Sequence, residues 1–87
     1  MVRIGATPEQ LTELKSVFDR QSEAVEQLAS TVTSRLSAVD WQGPAHDRFV
    51  QMWEGEFKAA LRRLQAELTS AGREAHEAGQ RIRAAGS

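Results

Sequence analysis

Residues 9–42 form a long stretch of sequence that contains neither glycine nor proline. Large apolar residues recur in it at intervals of seven, at Leu11, Phe18, Val25, Val32 and Val39. A seven-residue interval is the a position of a helical heptad, and strand-like alternation is never sustained. The spacing therefore predicts a helix over about residues 8–39. The d positions are weaker, because Leu14 and Leu28 alternate there with Gln21 and Arg35.

The two ends of this helix carry recognisable signals. Thr7 can cap its start with the hydroxyl group, Pro8 fits the first helical position, and Gln10 can reach back to close a capping box. After it, residues 40–43 predict a tight turn, because Gly43 tolerates positive φ and Pro44 begins a helix but does not continue one.

A second apolar stripe with steps of three or four residues predicts a helix over about residues 44–83. Its members are Phe49, Trp53, Phe57, Leu61, Leu64, Leu68, Ala71, Ala75, Ala78 and Ile82. The final third thins to alanine and is interrupted by Gly72 and Gly79, each of which costs about 1 kcal/mol relative to alanine. We therefore expect fraying beyond Gly79 and a loose tail over residues 84–87.

A short turn between two long helices predicts an all-α, antiparallel hairpin that forms a single domain over residues 1–87. One helix–helix seam buries little apolar surface, so we expect a second hairpin to complete a four-helix bundle. The residues predicted to lie in this dimer or bundle core are Leu11, Leu14, Phe18, Val25, Leu28, Val32, Phe57, Leu61, Leu64 and Leu68.

Composition argues against several classes of function. Eleven basic and twelve acidic residues leave a net charge of −1, which gives no general attraction to nucleic acid. The chain has no cysteine, and His46 and His76 lie too far apart for metal-ligand spacing, so we expect surface imidazoles and no metal or cofactor. No catalytic motif is present, and no stretch is long and apolar enough for stable membrane insertion. We therefore expect a protein that is not an enzyme.

The turn carries the most informative residues, Trp41 and Gly43. They are either a packing pair at the end of the bundle or part of a recognition surface, since an exposed tryptophan is favoured at binding hot spots. A Trp41-Gln42-Gly43 turn midway between two helices resembles the WXG family, also called the early secreted antigenic target-like family, over nearly the whole chain. The segments Phe49–Trp53, Ser70–Gly72 and Glu77–Gln80 also look like the second helix of that family.

The resemblance implies a small protein, secreted by a type VII system without a classical signal peptide, that pairs with a second hairpin of the family and is recognised by a membrane ATPase. Family pairs are often heterodimers in which one chain carries a terminal Tyr-x-x-x-Asp/Glu motif. This sequence has no tyrosine, so it looks like the other partner; a heterodimer is favoured and a homodimer remains open. The alternatives are a cytoplasmic dimeric hairpin with a structural or regulatory role and a membrane-perturbing effector.

Overall fold

The computed structural model describes residues 5–86, and these residues contain only helices and connecting segments. Helix α1 spans Pro8–Ala38, α2 spans Pro44–Met52, and α3 spans Lys58–Gly86. A π-helical turn, Trp53–Phe57, joins α2 to α3 without a break, so the three form one continuous second arm. The all-helical prediction is confirmed, and the first helix has nearly its predicted bounds.

The start of α1 is fixed by local hydrogen bonds that the sequence predicts. The Gln10 amide donates to the Thr7 hydroxyl at 3.1 Å, and the Thr7 amide donates to the Gln10 side-chain oxygen at 2.9 Å. Pro8 occupies the first turn, where its missing N–H leaves no hydrogen bond unmade. The predicted capping box is therefore confirmed.

The π-helical turn is a feature that the sequence analysis does not predict. Lys58 donates its backbone N–H to the Trp53 carbonyl, five residues back, where a regular α-helix would use a four-residue step. The apolar residues around it are four apart (Phe49, Trp53, Phe57 and Leu61), and in a regular helix each such step drifts by about 40°. The wider turn absorbs this drift, so Trp53 and Phe57 remain on the side that faces α1.

Contacts along the hairpin establish that α1 and α3 run antiparallel. From the turn to the open end, the contacting pairs are Thr33 with Trp53, Ser22 with Gln65 and Thr69, Phe18 with Gly72, and Leu11 with Gly79. The two-helix antiparallel prediction therefore agrees with the structure.

Small residues let the two helices pack closely. Gly72, Ala75 and Gly79 are all buried, and a Cβ atom at Gly72 would lie 3.3 Å from the Phe18 Cβ. The sequence analysis treats these glycines as interruptions that fray the helix, and that expectation is wrong. Their missing side chains admit α1, and this packing offsets their low helix propensity.

The second arm also extends past its predicted end at about residue 83. α3 continues to Gly86, and the predicted loose tail is therefore wrong for residues 84–86, whereas Ser87 lies outside the described residues. Ala84 and Ala85 have the highest helix propensity of any residue, which favours continuation of the helix through them.

The hairpin is only one layer of helices thick, with extents of 63 × 24 × 16 Å. An α-helix with its side chains is about 10–12 Å across, so the 16 Å dimension has no room for a second layer. Among the described residues, Trp53 and Ala75 are the only buried apolar side chains. Within residues 5–86, the seam between the arms is therefore the whole interior of the hairpin.

Candidate interaction surfaces

The residues predicted for the bundle core divide into two groups in the hairpin. Seven are half-buried along the seam: Leu11, Phe18, Val25, Val32, Phe57, Leu61 and Leu68. The other three are exposed: Leu14 at 41%, Leu28 at 48% and Leu64 at 47%. The hairpin alone does not bury the second group, and their place in a bundle core stays a prediction.

The exposed leucines lie outside the seam because α1 uses a different pair of heptad positions to contact α3. The seam contains the predicted a positions and also the residues four positions after each of them. These include buried Ser22 and half-buried Ala29 and Leu36. The d positions, Leu14 and Leu28 among them, point to one side instead. A small or hydroxyl side chain such as Ser22 suits a close seam, and its hydroxyl oxygen lies 3.1 Å from the Thr69 hydroxyl oxygen.

A groove with both polar and apolar lining marks one face of the hairpin. It encloses about 400 Å³ and is lined from both arms, by Glu26 and Ser30 of α1 and by Lys58, Arg62 and Gln65 of α3. The Gln65 side-chain amide donates to the Glu26 carboxylate at 3.0 Å, across the two arms. This face therefore presents charged and hydrogen-bonding groups to its surroundings.

The exposed leucines lie on the opposite face. Residues two apart on an α-helix are about 200° apart around its axis, so Leu28 points away from Ser30, and Leu64 points away from Arg62. Leu14 is two heptads before Leu28, and Ile82, 37% exposed, is five turns after Leu64, so both share this side. We call the surface formed by Leu14, Leu28, Leu64 and Ile82 the apolar face.

The turn presents a second candidate surface. Trp41 is 43% exposed, and its ring packs edge-on against the His46 ring, with centroids 5.0 Å apart. His46 Nδ1 in turn lies 3.3 Å from a carboxylate oxygen of Asp47. His46 is therefore a half-buried support for Trp41 rather than the solvated imidazole expected from the sequence, and Trp41 is held in place while much of its ring remains accessible.

Gly43 supplies the backbone conformation of this turn. Its φ is 117° and its ψ is 177°, a region that is essentially limited to glycine. A Cβ atom there would meet no other atom within 4 Å, so the constraint is in the backbone and not in packing. Gly43 is the only described residue with positive φ.

We expect Gly43→Ala to lower the free energy of unfolding by about 1–3 kcal/mol, because alanine cannot adopt this φ without strain. Chemical denaturation of the purified protein at one fixed concentration measures the change. Gly55→Ala is the matched control, since that glycine also has open space around it but lies in the π-helical turn without a positive φ, so its substitution should change stability far less. Equal effects of both substitutions would contradict the role of φ at Gly43.

The sequence analysis places Trp53 in the second apolar stripe but leaves it out of the predicted core. Trp53 is only 4% exposed, and its indole N–H donates to the Thr33 hydroxyl at 3.0 Å. Its ring stacks on Phe49 with centroids 6.4 Å apart. The two tryptophans thus have opposite placements: one anchors the two arms beside the turn, and the other is displayed at the turn.

Within residues 5–86, neither the apolar face nor the turn has the features of a metal site. No group of three or more potential ligating side chains comes together there. None of the helices in the described part of the chain has both the length and the apolar character needed to cross a membrane. What the structure brings together is an apolar face and an exposed tryptophan, both suited to binding another protein.

Comparison with known proteins identifies one family. The family model WXG100, described as proteins of 100 residues with WXG, matches residues 3–87 of this chain. Searches of curated proteins and of solved structures found no match.

Proposed function

The chain belongs to the WXG100 family, and on that basis we propose that it is a type VII secretion substrate that acts by binding a second hairpin of the family. The pair forms a four-helix bundle, leaves the cell without a classical signal peptide and acts through protein–protein contacts, not catalysis. The proposed binding partner that recognises the turn is a membrane ATPase of the secretion system.

The apolar face is the observation that carries the pairing. Leu28 and Leu64 are both nearly half exposed, in a hairpin whose only buried apolar side chains within the described range are Trp53 and Ala75. Burying a leucine is worth about 1.5–3 kcal/mol relative to leaving it exposed. A second hairpin that covers this face therefore supplies the interior that one layer of helices lacks.

The turn supports the secretion part of the proposal. A tryptophan is costly to expose and is enriched among residues that dominate binding energy. Trp41 is exposed while Gly43 and His46 fix its position, so the turn presents a rigid aromatic group. A recognition protein can use such a group at low entropic cost.

We expect Trp41→Ala to reduce secretion at least about tenfold while lowering the free energy of unfolding by less than about 1 kcal/mol, because the ring is a recognition group that remains 43% exposed at the turn. Secretion is measured as the ratio of this chain in the culture supernatant to that in the cells, with a cytoplasmic marker to correct for lysis.

Gln51→Ala is the control, because Gln51 is another exposed residue of the second arm and lies about 200° around the helix from Trp53, away from the seam. It should leave secretion unchanged. Normal secretion of the Trp41→Ala protein, with its fold intact, would overturn the assignment of the turn.

Retention of the unaltered chain in cells with an active type VII system would instead favour the alternative of a cytoplasmic hairpin. Dye release from lipid vesicles would favour the alternative of a membrane-perturbing effector.

A further inference from the structure

We propose that the protein that recognises the turn does so through charge as well as through the indole ring. Its binding site is an apolar pocket for Trp41 with arginine or lysine side chains at the rim, which pair with Asp40 and Asp47. This inference rests on the proposed function, in which the turn is the recognised surface, and it adds the chemistry of the partner. It also gives a role to two carboxylates that the proposed function does not use.

Asp47 is held close to the Trp41 ring by way of His46. The His46 and Trp41 ring centroids are 5.0 Å apart, and Oδ1 of Asp47 lies 3.3 Å from Nδ1 of His46. The carboxylate is therefore within about 10 Å of the indole, which is comparable to the Debye length in dilute salt. The Asp47 side chain is 74% exposed, so one partner can contact the carboxylate and the indole together.

Asp40 places a second carboxylate beside the indole. It directly precedes Trp41 and is exposed. It follows the last residue of α1, Ala38, by two positions, where the helix dipole carries a partial negative charge. Helix stability therefore does not explain a carboxylate at this position, whereas Asp47 is favoured by the dipole at the start of α2. Asp40 thus gives the clearer indication that negative charge at the turn serves binding.

Neither carboxylate is paired with a lysine or arginine within the described hairpin. Arg48 follows Asp47 directly, but it lies two residues after His46 and so about 200° around α2 from it, on the side away from Trp41. The charge next to the indole is therefore negative and available to a partner.

The sign of this charge selects the class of partner. A tryptophan is also favoured at the surface of a membrane, but anionic lipid headgroups would repel both carboxylates. A protein pocket with basic side chains at its rim satisfies the indole and the carboxylates at once, and an arginine there can also stack on the ring. The geometry therefore favours a basic, apolar pocket in a protein.

The indole and the carboxylates should act on different steps of binding. A buried aromatic anchor mainly sets the rate of dissociation, because its contacts must break before the partner leaves. Charges at the rim of an interface mainly set the rate of association and its dependence on salt. Kinetic measurements can therefore separate the two contributions.

Binding of the purified chain to the detergent-solubilised membrane ATPase of its secretion system tests this division by surface plasmon resonance. We expect the double variant Asp40→Asn/Asp47→Asn to associate at least about fivefold more slowly at about 50 mM salt, and less than about twofold more slowly at about 500 mM. Trp41→Ala should raise the dissociation rate about tenfold at both salt concentrations. A loss of the double variant that is equal at both salt concentrations would overturn the role of charge.

Two further variants separate the charge of Asp47 from its contact with His46. Asp47→Asn keeps a side-chain oxygen beside the imidazole and removes only the charge, whereas Asp47→Ala removes both. If charge is recognised, the two variants should associate equally slowly at low salt. Normal association of Asp47→Asn with slow association of Asp47→Ala would make Asp47 a positioning residue for Trp41 and overturn its proposed pairing with a basic group.

The ratio of supernatant to cellular protein provides the test in living cells. Reversal of both charges, in Asp40→Lys/Asp47→Lys, should reduce secretion at least about tenfold, because the basic rim then repels the turn. Glu77→Lys is the control, since Glu77 is also exposed and lies thirty residues beyond Asp47, about 45 Å along the second arm. It should be secreted normally, and circular dichroism should show the same helix content for all variants.

The outcomes distinguish this inference from the proposed function. Normal secretion of the double lysine variant, together with impaired secretion of Trp41→Ala, would overturn the basic rim and leave the turn as the recognised surface. Normal secretion of both would overturn the recognition of the turn itself. Impaired secretion of both, from a chain that does not bind the ATPase, would support the basic rim and move it to another component of the secretion system.

Discussion

Trp53→Ala should lower the free energy of unfolding by about 3–5 kcal/mol, the largest stability effect that we expect for a single substitution in this chain. The side chain is 4% exposed and stacks on Phe49. Its removal leaves a cavity in the π-helical turn and an unpaired Thr33 hydroxyl on α1. Denaturant unfolding followed by circular dichroism, at one fixed protein concentration, measures the change.

Two variants separate the packing of Trp53 from its hydrogen bond. Thr33→Val removes the acceptor but keeps the shape of the side chain, and should cost about 1 kcal/mol. Met52→Ala removes an exposed side chain one residue before Trp53 and should have a much smaller effect. A loss of less than about 1 kcal/mol for Trp53→Ala would show that the arms are not held together at this point.

Leu64→Asp should abolish pairing of the hairpins, raising the Kd of the pair at least about 100-fold, or about 2.7 kcal/mol. Leu64 is part of the apolar face, so pairing through that face would bury a carboxylate without a partner. Secretion should fall with pairing if the assembled bundle is the exported form. Sedimentation and the supernatant-to-cell ratio of the same variant measure the two effects.

Ala66→Asp is the matched control for that substitution. Ala66 is exposed two residues further along the same helix, about 200° around its axis, so the same charge is introduced away from the apolar face. Its pairing and secretion should remain close to those of the unaltered chain. Pairing that survives Leu64→Asp would move the interface to another surface, and lost pairing with undiminished secretion would separate the two functions.

Local signals in the sequence were enough to predict the hairpin. The capping box of Thr7 and Gln10 depends on residues three apart, and the turn depends on Gly43 followed directly by Pro44. Both are decided by backbone sterics and short-range hydrogen bonds, which a sequence displays directly. Heptad spacing predicted the length of α1 for the same reason.

The candidate site was predicted only in part. Trp41 and Gly43 were identified from the turn, and the leucines of the apolar face were named as core residues. The sequence did not separate half-buried Val25 from exposed Leu28, because both belong to one stripe and the direction of the second arm selects which of them faces the seam. Trp53 was missed as the main anchor for a related reason, since its burial depends on Thr33, twenty residues away.

The sequence by itself determined the all-helical class, the position of the turn and the apolar character of both helices, because propensity, capping and periodicity act over a few residues. Only the tertiary structure decided that Gly72 and Gly79 are buried against α1, that a π-helical turn aims Trp53 inward, and that Leu28 and Leu64 remain nearly half exposed. Those outcomes depend on how two helices fit against each other. A side chain's burial is set by the neighbours that cover it, and the single hairpin leaves these two leucines nearly half exposed.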